Sequence, residues 1–297
     1  MFWFRKRMRA EIKRNPDSGE NVLLAGPWIG EFGWELFCWQ GHLRARSHAF
    51  DRVIVASRPE MAPLYADFCS EFIPFVPNGV GISGFKCIGH ADWPDISDQR
   101  DYREYLSGNF YIGYNRDHPA RSSKAFFGQQ FFKYGKHDPE LAFDVVMHIR
   151  QTSKNRSDVR NGWELPVWAR YLEQLQKHGP YRVCCIGDPN SAGMLEGCSD
   201  LRGLAMDRLF DLLAGSRVLV GPSSGPMHLG ALCGCPHVVW SGVDENRPKY
   251  EKFWNPFATP VKYIHHPDWK PDVEVAVRHT LEMMRAPVGT SAGLEVI

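Results

Sequence analysis

Short runs of consecutive apolar residues recur along the chain. They read Val22 to Gly26, Arg52 to Ala56, Phe72 to Val76, Phe143 to Ile149, Arg182 to Ile186, Val218 to Val220 and His237 to Trp240. Runs of this length with no polar alternation are the mark of strands buried on both faces, as in parallel sheets. Between them apolar residues return at helical spacing. Leu36, Trp39 and Leu43 predict a helix over 35–47, and Leu165, Trp168, Leu172 and Leu175 predict one over 166–178. Further helices are expected at 63–69, 207–214, 227–233 and 271–285. Strands alternating with helices predict a doubly wound α/β architecture in two Rossmann-like halves. Residues 77–140 are rich in Gly, Pro, Asp and aromatics, and predict irregular structure with a helix over 98–106. The expected organisation is an N-terminal domain at 1–140, a second domain at 141–270 and a terminal helix and tail at 271–297.

Composition narrows the class. The chain has 297 residues, 43% of them hydrophobic, enough for one large domain or two smaller ones. Its formal net charge is +1, so no overall field calls for nucleic acid. No apolar run approaches the ~20 residues that span a bilayer. The first fourteen residues, Met1 to Arg14, are basic but lack the uninterrupted apolar core of a secretory signal. They suit peripheral contact with a membrane or a polyanion. None of the eight cysteines forms a Cys-x-x-Cys pair, so reduced, buried thiols in a cytoplasmic protein are expected, without zinc or a disulfide framework. No Asp-x-Asp or His/Asp cluster points to a bound metal.

The strongest chemical signal follows the run at Val218. Gly221-Pro222-Ser223-Ser224-Gly225 forms a polar turn between that strand and a helix of small residues. The free N–H groups and dipole of a helix start favour an anion there. With Ser224, Gly225, Pro226, Met227, His228 and Leu229, then Gly234 and Pro236, this segment resembles the sugar-donor motif of GT-B glycosyltransferases. The likeness is greatest to the ADP-heptose:lipopolysaccharide heptosyltransferases of glycosyltransferase family 9. It departs from them at Ser223, where that family usually has Asp. The resemblance is best over about 141–243 and partial over 22–60.

Four segments supply candidate residues. The turn from Gly26 to Glu35 carries two acids and three glycines after the first strand. It resembles the first loop of heptosyltransferases, which makes Glu31 the candidate base. An alternative alignment, Gly33-Trp34-Glu35-Leu36-Phe37, resembles a fucosyltransferase loop and makes Glu35 the candidate. The second segment, His148-Ile149-Arg150-Gln151-Thr152-Ser153-Lys154-Asn155-Arg156, is a strand end leading into a basic, hydroxyl-rich loop. His148, Arg150, Thr152, Lys154 and Arg156 suit a pyrophosphate, because guanidinium forks and an ammonium offset its charge. The third is the turn at Gly187 and Asp188, where the resemblance implies base or ribose contacts. The fourth runs from Asp244 to Phe257. There Arg247 and Lys249 are candidates for phosphate, and Tyr250 or Trp254 for packing on a ring.

The resemblance therefore implies an enzyme of two Rossmann-like domains facing across a cleft. It would transfer a sugar from a nucleotide-sugar donor to a glycan, lipid-linked or nucleic-acid acceptor. Inversion at the anomeric carbon, no metal and no cofactor beyond the nucleotide sugar are implied with it, as is a last helix packing back on the first domain. Other readings are a nucleotide-sugar epimerase or DNA-modifying glycosyltransferase on the same scaffold, and a non-catalytic nucleotide or glycan binder.

Overall fold

The computed structural model describes residues 21–26, 28, 32–74, 110–112, 129–151 and 162–285. The chain divides into two compact units, residues 1–129 and 130–297. Each carries its own parallel sheet, as the unbroken apolar runs predict.

In the first unit, β1 (Val22–Ala25), β2 (Arg52–Ser57), β3 (Glu71–Pro74) and β4 (Phe110–Ile112) pair in the order β3-β2-β1-β4. Leu23, Leu24, Ala25, Val55 and Ala56 have no exposed surface, so the centre of the sheet is covered on both faces. At the end of β1 the chain passes hard against β2. Gly26 has φ 118°, and a Cβ there would overlap the Ala56 carbonyl, so only glycine fits. Helix α1 follows over 32–47. Its middle, Glu35–Trp39, is π-helical, with the Gln40 N–H donating to the Glu35 carbonyl five residues back. The helix expected at 63–69 is instead a 3-10 segment at Pro59–Leu64. Pro59 and Pro63 each lack an N–H and break the α pattern.

The second unit holds β5 (Val145–Met147), β6 (Val183–Cys185), β7 (Ser199–Asp200), β8 (Val218–Pro222), β9 (His237–Ser241) and β10 (Val261–His265). All run parallel, in the order β10-β9-β8-β5-β6-β7. The chain builds outward from β5 through β6 to β7, returns to β8 on the other side of β5, and builds outward again. The reversal between β5 and β8 is the topological switch point of a doubly wound sheet. The short β7 and the edge strand β10 were not among the expected elements. Neither has a long apolar run; Ser199 and Asp200 are exposed and β10 is only half-buried.

Helix α2 (Leu165–Gln176) covers one sheet face, while α3 (Met206–Gly215) and α4 (Gly225–Cys233) belong to the other. The last helix, α5 (Val273–Met283), lies beside α2. Its Val273, Ala276, Val277 and Met283 join Trp168, Tyr171, Val220 and Trp240 in one buried cluster. The apolar face of α5 is thus covered within the second unit. The unit also starts earlier than residue 141. The Tyr134 N–H donates to the Leu232 carbonyl at 3.0 Å, and its ring lies 4.5 Å from that of Phe210 on α3.

Candidate functional site

The register sets the site. Met147 at the end of β5 pairs with Cys185 of β6 and Val220 of β8. The three strands therefore release the chain at one level, and three turns meet there: 148–150, 187–188 and 223–225. Bonds beyond the ladder keep them aligned. The His148 N–H donates to the Val220 carbonyl at 2.9 Å, Ile186 N–H to Met147 at 2.9 Å, and Ser223 N–H to Trp240 at 2.8 Å.

At the centre, Ser224 Oγ lies 2.9 Å from His148 Nδ1. Ser224 is the N-cap of α4, yet its hydroxyl makes no capping bond. It turns across the switch point to His148, and the start of α4 is not closed by its own side chain. Arg150 Nη1 reaches from the β5 side to the Ser223 carbonyl at 3.5 Å. His148 is buried, and burial, reinforced by the Arg150 charge, lowers its pKa to about 3. It is a neutral imidazole at neutral pH. Whichever of His148 and Ser224 donates, the other accepts, and a tautomer change would reverse the roles.

Gly187 has φ 123°, and a Cβ there would lie 2.7 Å from Ala192 Cβ and 3.1 Å from His148 Cδ2. Only glycine lets this turn close on the His148 ring. Asp188 next to it uses Oδ1 to accept from the Asn190 N–H at 2.9 Å and side-chain amide at 3.1 Å. Its Oδ2 is buried and has no partner among the described residues. A buried carboxylate oxygen is costly until it accepts a hydrogen bond, and this one keeps that capacity.

Beneath the turn is an aromatic stack. His228, one turn into α4, lies parallel to the Tyr250 ring at 4.2 Å and edge-on to Trp254 at 4.6 Å. Burial and the Lys249 charge push its pKa well below the usual imidazole range, so His228 is neutral as well.

Several expected residues take other places. Met227 is fully buried, with its sulfur against Gly221 of β8. Gly225 is the first residue of α4 and is not among the residues with positive φ, so the turn needs no left-handed backbone there. Arg247 is held by its own loop. It pairs with Asp244 at 3.0 Å and Glu251 at 3.6 Å, and its guanidinium lies 4.9 Å over the Tyr263 ring. Tyr250 packs on His228, and Trp254 likewise serves that stack. Tyr250 is 1% exposed, which leaves it no face for a ligand ring.

In the first unit, Glu35 is not presented as a base. It has no exposed surface. Ser57 Oγ and Tyr65 OH donate to its Oε1 at 2.5 and 2.7 Å, and Arg58 Nη2 to its Oε2 at 2.7 Å. The carboxylate ties α1 to β2 and the segment behind it, because an enclosed charge is tolerated only when donors surround it. Glu31, Thr152, Lys154, Arg156 and the basic stretch 1–14 lie outside the described residues. Among those described, no group of three or more His, Cys, Asp or Glu could hold a metal, and no helix is long and apolar enough to cross a membrane.

No family model matches the sequence, and no curated protein matches it. Solved structures do resemble it in fold. A family 9 glycosyl transferase from Veillonella parvula superposes with a TM-score of 0.59 at 11% identity, over 90% of this chain and 97% of that one. The Escherichia coli ADP-heptose LPS heptosyltransferase II gives a TM-score of 0.53 at 14% identity, over 89% and 97%. E. coli heptosyltransferase WaaC with ADP gives 0.50 at 12%, over 89% and 99%. At such identities the likeness is one of fold: parallel α/β units of the GT-B kind, over nearly the whole of each chain.

Proposed function

We propose that this chain is a glycosyltransferase that holds a nucleotide sugar at the carboxyl ends of β5, β6 and β8. The observation that carries the reading is the contact of Ser224 with His148 across the switch point, with Arg150 beside it. That is the position where doubly wound sheets take nucleotides. With the imidazoles neutral, the Arg150 guanidinium supplies positive charge at the turn, and the start of α4 adds its dipole, a combination suited to a diphosphate. Solved structures of the same fold include heptosyltransferases, one of them with ADP. In this reading Lys154 and Arg156 join Arg150 around the diphosphate, and the unpartnered Asp188 oxygen accepts from the ribose.

The reaction is a displacement. An acceptor hydroxyl oxygen forms a bond to the anomeric carbon as the bond from that carbon to the diphosphate oxygen breaks. Attack opposite the leaving group inverts the centre. The hydroxyl proton passes to a carboxylate, which we assign to Glu31, since Glu35 is enclosed. The diphosphate leaves with its added charge offset by Arg150 and the α4 terminus. No metal is assigned a role. The acceptor is a glycan, a lipid-linked sugar or a nucleic acid.

Thermal shift against UDP-, GDP- and ADP-sugars tests nucleotide binding. A ligand at about 100 times its dissociation constant should stabilise the protein by ~2.7 kcal/mol. Glu31→Gln should then bind the same nucleotide sugar with unchanged affinity but turn over about 10²–10⁴-fold more slowly. Slow hydrolysis of the nucleotide sugar by the wild type, lost in this variant, separates an enzyme from a binder. Activity within a few-fold of wild type would remove Glu31 from the reaction.

A further inference from the structure

Tyr250 belongs to a π-helical turn, Lys249–Phe253, that returns beneath the 223–225 turn after β9. The Trp254 N–H closes it on the Lys249 carbonyl at 2.7 Å. From this turn Tyr250 reaches Ser223 and Ser224. The Tyr250 hydroxyl donates to Ser223 Oγ at 3.0 Å and accepts from the Ser224 N–H at 3.3 Å. Its ring is fixed by the stack on His228.

A phenol has one proton. With that proton given to Ser223 and a lone pair taken by the Ser224 N–H, the direction of both bonds is set. Burial raises the Tyr250 pKa, so the phenol keeps its proton at neutral pH. Ser223 Oγ, having accepted, retains its own proton for whatever lies in front of the turn. A carboxylate at this position has no proton to give, whereas a serine held from behind by Tyr250 does.

We propose that Tyr250 is the positioning residue of the 223–225 turn, and that it aims the Ser223 hydroxyl as a donor at an unprotonated phosphate oxygen of the bound diphosphate. This rests on the reading of the site given under Proposed function. Ser223 and the open start of α4 then contact the same phosphate, while Tyr250 itself touches no ligand.

The test is titration calorimetry on the full chain with ADP, UDP, GDP and inorganic pyrophosphate as probes. Tyr250→Phe keeps the ring on His228 and removes only the hydroxyl. It should bind the preferred probe about tenfold more weakly, the size expected for one hydrogen bond. Ser223→Ala should show a similar loss. The double variant should lose no more than either single one, because both changes remove the same interaction. Ser223→Asp should lose pyrophosphate by a larger factor than Ser223→Ala, since it replaces a donor with a like charge. Losses that add in the double variant, or a Ser223→Asp protein that binds pyrophosphate like wild type, would overturn the proposal. So would unchanged affinity in Tyr250→Phe when the wild type binds, and in that case the reading of the site would stand. A wild type that binds none of the four probes would overturn that reading itself, and this proposal with it.

Discussion

An ionised side chain enclosed away from water keeps its charge only where donors replace the water. Glu35 meets that condition with Ser57, Tyr65 and Arg58, and Arg58 is itself 12% exposed. Removing the carboxylate takes this acceptor from a mostly buried guanidinium and from two hydroxyls. Glu35→Ala should lower stability by roughly 3–5 kcal/mol, the cost of breaking a buried pair. Glu35→Gln, which keeps the shape and one accepting oxygen, should cost less. Urea denaturation measures both; an alanine variant as stable as wild type would refute the structural role. Gly187 makes the opposite kind of demand. Alanine there meets both a left-handed φ and the Ala192 methyl. Gly187→Ala should cost about 1–3 kcal/mol. It should also weaken nucleotide binding, since the turn cannot then close on His148. Melting temperature and nucleotide titration on the same sample check the two effects together.

At the scale of elements, three buried histidines lie just past β5, one turn into α4 and at the start of β9, and each is held neutral. Burial lowers His148 to about 3, His237 to about 4, and His228 well below the usual range. His237 donates from Nδ1 to the Cys235 carbonyl at 3.0 Å, and its Nε2 is buried with no partner among the described residues. Protonation would place a charge there with nothing to receive it. The unfolded chain takes up these protons near pH 6.5, whereas the folded one takes up those of His148 and His237 only near pH 3–4. Between those values the unfolded state binds more protons, so stability is full above about pH 6.5 and falls as the pH is lowered through that window. Calorimetric melting between pH 7.5 and 4.5 should show the decline, and His237→Gln should flatten it. A melting temperature constant across that range would contradict the assignment.

On the scale of the molecule, the second unit holds the described residues that the proposed reading gives to the nucleotide: Arg150, Asp188, Ser223 and Ser224. It has its own six-stranded sheet, and α5 completes its core. A fragment spanning 130–285 should therefore fold cooperatively and bind the nucleoside diphosphate within a few-fold of the full chain. It should transfer no sugar, because the assigned base, Glu31, lies in the first unit. Circular dichroism melting and nucleotide titration of the fragment decide this. A fragment that fails to fold would show that the core needs the first unit.

Much of this was legible in the chain alone. Apolar runs such as Val218 to Val220 carry their own strand signal, since a strand buried on both faces has no polar alternation. Amphipathic spacing located α2, and the Ser-Ser-Gly-Pro sequence located the turn at the start of α4 before any strand order was known. Short or half-polar elements were not legible. Ser199–Asp200 and Val261–His265 become strands because they extend an existing sheet edge, and no local pattern announces that. Local sequence also could not show which carboxylate is enclosed. Glu31 and Glu35 stand four residues apart, and only packing against Ser57, Arg58 and Tyr65, more than twenty residues away in sequence, encloses Glu35. The same is true of Tyr250, whose bonds to Ser223 and Ser224 cross from the segment beyond β9. Hydrophobic period determines which segments become elements, since burial is repeated along the chain. The roles of single polar groups depend on partners that only the folded chain brings within hydrogen-bond reach.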